Sequence, residues 1–119
     1  MIEIKETSRD FTEVEQYLMT ISPAIESVKT IEDGTSIPVN GYMIFDDVDD
    51  ETGEISTIIS IITDDMKVYC AQSKTFTRSF KDIYKIMNGK PFSIIKISGK
   101  TKSDRDYVNC ILDIAKLQK

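Results

Sequence analysis

Residues 45–54 read FDDVDDETGE, and the acids Asp46, Asp47, Asp49, Asp50, Glu51 and Glu54 crowd this short stretch. It has three candidate readings: a metal loop, a disordered tail, or the tip of a hairpin. A calcium loop that starts at Asp47 places Asp49 and Glu51 at suitable offsets. It then needs glycine at the sixth position and glutamate at the twelfth, where this chain has Thr52 and Ile58. The calcium reading fails, and the sequence predicts no metal. Strand-like patterns on both sides exclude a tail. The segment is therefore predicted to be a hairpin loop, with Gly53 in the turn and the acids in water, where they discourage edge pairing between molecules.

The flanks of that hairpin set the rest of the reading. Upstream, SIPVNGYMIF (residues 36–45) places Ile37, Val39, Met43 and Phe45 on one parity, with Gly41 between them. A glycine inside such a pattern predicts a bend, so this is one long strand kinked at Gly41. Downstream, EISTIISIIT (54–63) has no breaker and predicts a well-buried second strand. After an Asp64-Asp65 turn, KVYCAQ (67–72) is a third strand, with Val68 and Cys70 inward and Lys67 and Tyr69 outward. TFTRSFKDIYKIMN (75–88) has an apolar stripe of Phe76, Phe80, Ile83 and Met87. Thr75 is placed to cap it, and Gly89 and Pro91 follow it, so it is predicted to be a helix. PFSIIKIS (91–98) and YVNCILDI (107–114) are the fourth and fifth strands. In the fifth, Val108, Cys110, Leu112 and Ile114 face inward, and Tyr107, Asn109 and Asp113 face outward. The two are joined by the basic loop GKTKSDRD (99–106). Near the start, DFTEVEQYLMTI (10–21) predicts a short helix capped by Asp10, with Phe11, Val14, Leu18 and Ile21 on its core face.

Composition narrows the function. The chain has 119 residues, 40% of them hydrophobic, which suits one compact domain with a real core. Neither a membrane-spanning run nor a signal peptide is legible, and the expectation is a soluble cytoplasmic protein. There is no histidine, which removes the commonest general base and the usual catalytic triads, and Cys70 and Cys110 are predicted to be buried free thiols. No acid pair stands in a catalytic motif, so the chain reads as a non-enzyme without cofactors. The net charge of −5 is unevenly spread. Before Met66 the only bases are Lys5, Arg9 and Lys29, whereas from Lys67 onward the only acids are Asp82, Asp104, Asp106 and Asp113. A basic second half points to a nucleic-acid or acidic-partner surface.

Three strands, a helix and two more strands, in that order, describe the OB fold, a small five-stranded Greek-key barrel. The fold expected is thus mainly β: an N-terminal helical extension over 1–26, then an OB-fold barrel over 27–119 with its helix between the third and fourth strands. In that fold ligands lie across the second and third strands, between the loops joining strands one and two and strands four and five. Here one of those loops is acidic and the other basic.

The run SVKTIEDGTSIPVNGYMIF, the isoleucine-rich strand after it, and KVYCAQSKTF followed by a helix resemble the small single-stranded-DNA-binding proteins of phages of Gram-positive bacteria, the ϕ29 type. The Asp33-Gly34-Thr35 turn and the spacing of Tyr69, Ala71, Ser73, Lys74 and Thr75 carry the likeness, which spans roughly residues 27–114. The resemblance implies single-stranded DNA as partner, a role in phage replication or recombination, and the host cytoplasm as location. The tetrameric bacterial proteins of this function end in an acidic tail that recruits partners; with AKLQK as the last residues here, that role is not expected of this chain.

Binding of this kind needs cations along the backbone and aromatic faces for bases. The residues expected to provide them are Tyr42, Tyr69 and Tyr107 as stacking rings, and Lys67, Lys74, Arg78, Lys100, Lys102 and Arg105 as phosphate partners. Lys81, Lys85 and Lys90 read as solvated surface. The N-terminal segment offers a means for two copies to pair as a homodimer. The competing reading is an OB-fold protein-interaction module, or an acidic decoy that mimics nucleic acid. The sequence pI of about 4.7 suits that reading.

Overall fold

A computed structural model describes residues 1–117; the end of the predicted 27–119 domain, at 118–119, lies outside the described residues. The order of elements is β1 (Ile2–Thr7), α1 (Glu13–Thr20), β2 (Glu26–Ser27), β3 (Ser36–Val39), β4 (Gly41–Val48), β5 (Ile55–Ile62), β6 (Val68–Ala71), α2 (Lys74–Met87), β7 (Phe92–Lys100), β8 (Asp106–Leu112) and α3 (Ile114–Leu117). The protein is mainly β.

The predicted first strand is real and, bent at Gly41, serves two sheets. β3 pairs with β7, and after Asn40 the chain turns at Gly41 and continues as β4, paired with β5. Gly41 is needed there for space. A Cβ on it would lie 3.0 Å from both the Phe11 ring and the Ser8 hydroxyl. Switching sheets at such a bend is how two packed sheets share one strand.

The strands form a five-stranded sheet in the order β1-β4-β5-β6-β2 and a three-stranded sheet in the order β3-β7-β8. This corrects the closed five-stranded barrel. Among the described residues no ladder joins the two sheets, and β1 and β2 form the edges of the larger one, covering the outer sides of β4 and β6. β2 pairs in parallel with β6 on the side a closing strand would need, and β1 pairs antiparallel with β4 on the other. The N-terminal segment therefore supplies a strand to the main sheet as well as a helix. The junction that a barrel would close is spanned instead by a side chain: the Ser73 hydroxyl donates to the Val108 carbonyl at 3.2 Å.

Residues 45–54 do form the β4–β5 hairpin, with Val48 opposite Ile55. Asp49 builds its turn. The Asp49 carboxylate accepts the N–H groups of Glu51 at 2.8 Å and Thr52 at 3.0 Å. Those two donors, Thr52 first, hold the carboxyl below its usual range. Gly53 takes the left-handed conformation at φ 75°.

The larger sheet is buried on both faces. Met43 and Phe45 pack with Met19, Ile62 and Val68 beneath α1, while Tyr42 joins Ile59, Ile61, Phe76, Phe80 and Ile94 on the other face. Successive side chains of a strand point to opposite faces, so β4 feeds two cores at once. The Ser60 hydroxyl pins α1 to the sheet by donating to the Met19 carbonyl at 2.6 Å.

Helix ends differ from expectation because the caps do. α1 starts at Glu13 with Thr12, not Asp10, as its cap. The Thr12 hydroxyl accepts from the Glu15 N–H, and the Glu15 carboxylate accepts from the Thr12 N–H, a reciprocal pair. Arg9, the largest influence, and the Thr12 N–H hold Glu15 down at about 2. Met19 replaces Val14 and Ile21 as the buried anchor of α1, and those two stand 63% and 64% exposed. α2 is capped by Ser73, whose hydroxyl accepts from Phe76 N–H at 3.1 Å, rather than by Thr75. The chain beyond Leu112 turns into α3 instead of extending the strand. There Asp113 is buried rather than outward, accepting from the Ser36 hydroxyl at 2.6 Å, and Ile114 is exposed. Both cysteines are free. Cys110 is buried, and burial pushes its thiol up to about 12, whereas Cys70 is only half-buried.

Candidate nucleic-acid interface

Two of the predicted cations share one wall. Lys74 and Arg78 lie on the first turns of α2, both exposed, and line a recess of about 770 Å³ with Gln72, Thr77 and residues Ile55, Ser56 and Thr57 of β5. Register explains the neighbours: Ile59 pairs with Ala71, so the free end of β5 runs past the start of α2. Among the described residues no carboxylate lies within 4.0 Å of either cation. Lys81 and Asp82 border the same recess; the Lys81 ammonium is held by Glu6 at 3.0 Å, and the Asp82 carboxylate lies beyond 4.0 Å of Lys74 and Arg78.

Lys67 and Tyr69 line a second, smaller recess of about 250 Å³ against Leu18 and Ile25. Lys67 is exposed. Tyr69 is half-buried and packs against the larger core cluster. Lys102 and Arg105 stand exposed on the β7–β8 turn, which closes with the Thr101 N–H donating to the Arg105 carbonyl at 2.9 Å.

Lys100 and Tyr107 face a third recess, of about 600 Å³. The Lys100 ammonium lies 3.4 Å from Asp104 and 3.9 Å from Asp106, so the loop is less positive than its lysines and arginine suggest. Tyr107 is opposite Gly99, and its ring lies over the glycine backbone.

Tyr42 does not reach the surface, which corrects its assignment as a stacking ring. It is 7% exposed, with edge contacts to Phe80 at 5.3 Å and Tyr84 at 5.0 Å between ring centroids. Its hydroxyl donates to the Glu6 carboxylate. Burial first, and that carboxylate second, raise its pKa far above the usual phenol range. Strand parity does not say which face is wet, and α2 covers the face that Tyr42 occupies.

Lys96 is a cation the sequence reading did not single out. Its side chain is 6% exposed, and its ammonium donates to the Ile31 carbonyl at 2.8 Å and meets Asp33 at 2.8 Å. The Ser98 hydroxyl donates to the other Asp33 oxygen at 2.6 Å, and the Gly34 N–H donates to the Lys96 carbonyl at 2.8 Å. The Asp33-Gly34-Thr35 turn is thus clamped onto β7. Lys96 sits in the apolar run SIIKI, where a lysine on the core parity was the available signal.

Exposed cations without a nearby carboxylate attract polyanions. Among the described residues no three of Cys, Asp and Glu gather as a metal site, and no helix is long and apolar enough to cross a membrane. No curated protein and no solved structure matches the chain. A family model described as phage single-stranded DNA-binding protein matches residues 12–113, so the chain belongs to that family of DNA-binding proteins.

Proposed function

We propose that the protein coats single-stranded DNA, without sequence preference, during phage replication or recombination in the host cytoplasm. The observation that carries this is the exposed Lys74 and Arg78 wall, unpaired with acids among the described residues. The strand runs from that wall across the α2–β8 junction, where Ser73 is bonded to Val108, toward Tyr107 and the turn bearing Lys102 and Arg105. Lys67, Lys100 and Tyr69 add to its flanks. Such a surface reads charge and base faces, not sequence, because every base offers a π face.

The test is a titration with an oligodeoxythymidylate and with duplex DNA at several salt concentrations. Log affinity for the single strand is expected to fall linearly with log salt, with a slope near −0.7 per neutralised phosphate, and to exceed affinity for the duplex. A chain that ignored both oligonucleotides and bound a basic protein would instead be the acidic decoy suggested by the β4–β5 hairpin.

That hairpin has a role within the binding reading. Asp47 pairs in register with Ser56, which lines the Lys74 and Arg78 recess, so the acids begin where the cationic wall ends. They repel phosphate and hold affinity down. The Asp47→Asn, Asp50→Asn double variant is therefore expected to bind single-stranded DNA about threefold more tightly at about 0.01 M salt. At about 0.15 M, where the screening length shrinks to about 8 Å, the gain should vanish. Anisotropy titrations at both salts measure it, and equal affinities at low salt would leave the hairpin a solubility device only.

A further inference from the structure

Three lysines border the recess in front of Tyr107, and two of them are already committed. The Lys96 ammonium is buried against Ile31 and Asp33, and the Lys100 ammonium is flanked by Asp104 and Asp106. Lys29 also lines the recess; it is exposed and, among the described residues, has no carboxylate within 4.0 Å. Its position is set from both sides. Upstream, Val28 is 1% exposed and its N–H donates to the Cys70 carbonyl at 2.9 Å, beyond the end of the β2–β6 ladder. Downstream, the Lys96 clamp grips Ile31 and Asp33.

The floor of the recess is equally constrained. A Cβ on Gly99 would lie 2.6 Å from the Tyr107 hydroxyl oxygen, 2.8 Å from Cζ and 3.0 Å from Cε1. One side of the ring is therefore laid on bare backbone, and Tyr107 is still 37% exposed. Only glycine at position 99 permits that seat.

Resting on the reading of the protein as a single-strand binder, we infer that this recess is a one-nucleotide subsite: Tyr107, seated on Gly99, stacks a base, and Lys29 takes the neighbouring phosphate. Lys96 acts as a positioning residue, holding the loop that presents Lys29. A preset ring costs less ordering on binding than a free one, which is the advantage of seating it. The subsite joins two segments far apart in sequence, one of them in the acidic half of the chain.

The experiment uses the full chain and an oligodeoxythymidylate carrying a single 5-iodo-deoxyuridine. Irradiation of the complex and peptide mass spectrometry identify the residue attached. The expected attachment is Tyr107. In Gly99→Ala the new methyl displaces the ring, whose hydroxyl end can swing away without disturbing the fold. The Tyr107 cross-link should fall to background and affinity should drop about tenfold, the effect of one lost stack. Tyr107→Phe should keep the affinity and Tyr107→Leu should lose it, with thermal melts confirming that each variant is folded. Lys29→Gln should reduce the salt slope by about 0.7, while Lys85→Gln on the far part of α2 leaves it unchanged. If the wild type binds the oligonucleotide but cross-links elsewhere, or if Lys29→Gln keeps the full slope, the subsite is wrong and the general binding reading survives. If the wild type binds no single strand at all, both fall.

Discussion

Replacing Lys74 and Arg78 together by alanine is expected to cut the affinity for single-stranded DNA about 25-fold at about 0.1 M salt and to flatten the salt slope by about 1.4, the share of two phosphates. The reason lies in what the two side chains lack. Lys5, Arg9, Lys81, Lys96 and Lys100 each have a carboxylate within 4.0 Å, so part of their charge is already answered within the protein. Lys74 and Arg78 have none among the described residues, and they stand about one helical turn apart on an exposed face. A polyanion that meets them releases its counterions without first displacing an internal partner. Fluorescence titration of the double variant over a range of salt tests this. A slope equal to that of the wild type would remove this wall from the binding surface, whatever happened to the absolute affinity. Lys85→Ala, on the same helix, is the matched control for a general loss of charge.

The second large effect is on stability. Phe80→Ala is expected to cost about 3–5 kcal/mol. Phe80 is fully buried on α2, and its ring centroid lies 5.3 Å from that of Tyr42 on β4, 6.2 Å from Tyr84 on its own helix and 6.4 Å from Phe92 on β7. One ring thus ties the helix to both sheets. Because no ladder joins those sheets among the described residues, side-chain packing of this kind does the work that barrel closure does elsewhere. Against a total of roughly 5–15 kcal/mol for a small domain, such a loss leaves little reserve. Urea denaturation should show a lower midpoint with an unchanged slope. A change below about 1 kcal/mol would mean that the α2 contact is dispensable and that the sheets are held together by other means.

Both predictions depend on α2, which was among the most legible parts of the sequence. Its apolar stripe at helical spacing, with polar residues before it and Asn88 and Gly89 after it, is a purely local pattern. The same holds for β5, β7 and β8, where runs of alternating or continuous β-branched residues mark strands whatever they pair with, and for the acidic hairpin, which failed the calcium spacing on its own residues. Lys74, Arg78 and Tyr107 became candidates through position relative to such elements, and all three are exposed.

The errors share one cause. Residues 2–7, IEIKET, carry only two large apolar side chains and form a strand because β4 offers an edge more than thirty residues away. The two-residue β2 exists only through its pairing with Cys70 and Tyr69. Tyr42 was placed outward because alternation along a strand says which side chains share a face, not which face is wet. Lys100 is the local exception: Asp104 and Asp106 stand four and six positions away and meet it once the turn is made.

Local periodicity and turn chemistry, carried by residues within a few positions of one another, were enough to mark β3 to β8, α1, α2 and the acidic loop of this protein, but not β1, β2 or α3. Which strands border which, whether the sheets close, and which rings and cations remain free to meet DNA were decided by tertiary structure. Those outcomes depend on pairings such as Glu6 with Tyr42 and Lys81, or Lys96 with Ile31 and Asp33, whose members lie more than thirty residues apart. Burial and ion pairs such as these are properties of non-local contacts, and a one-dimensional pattern does not contain them.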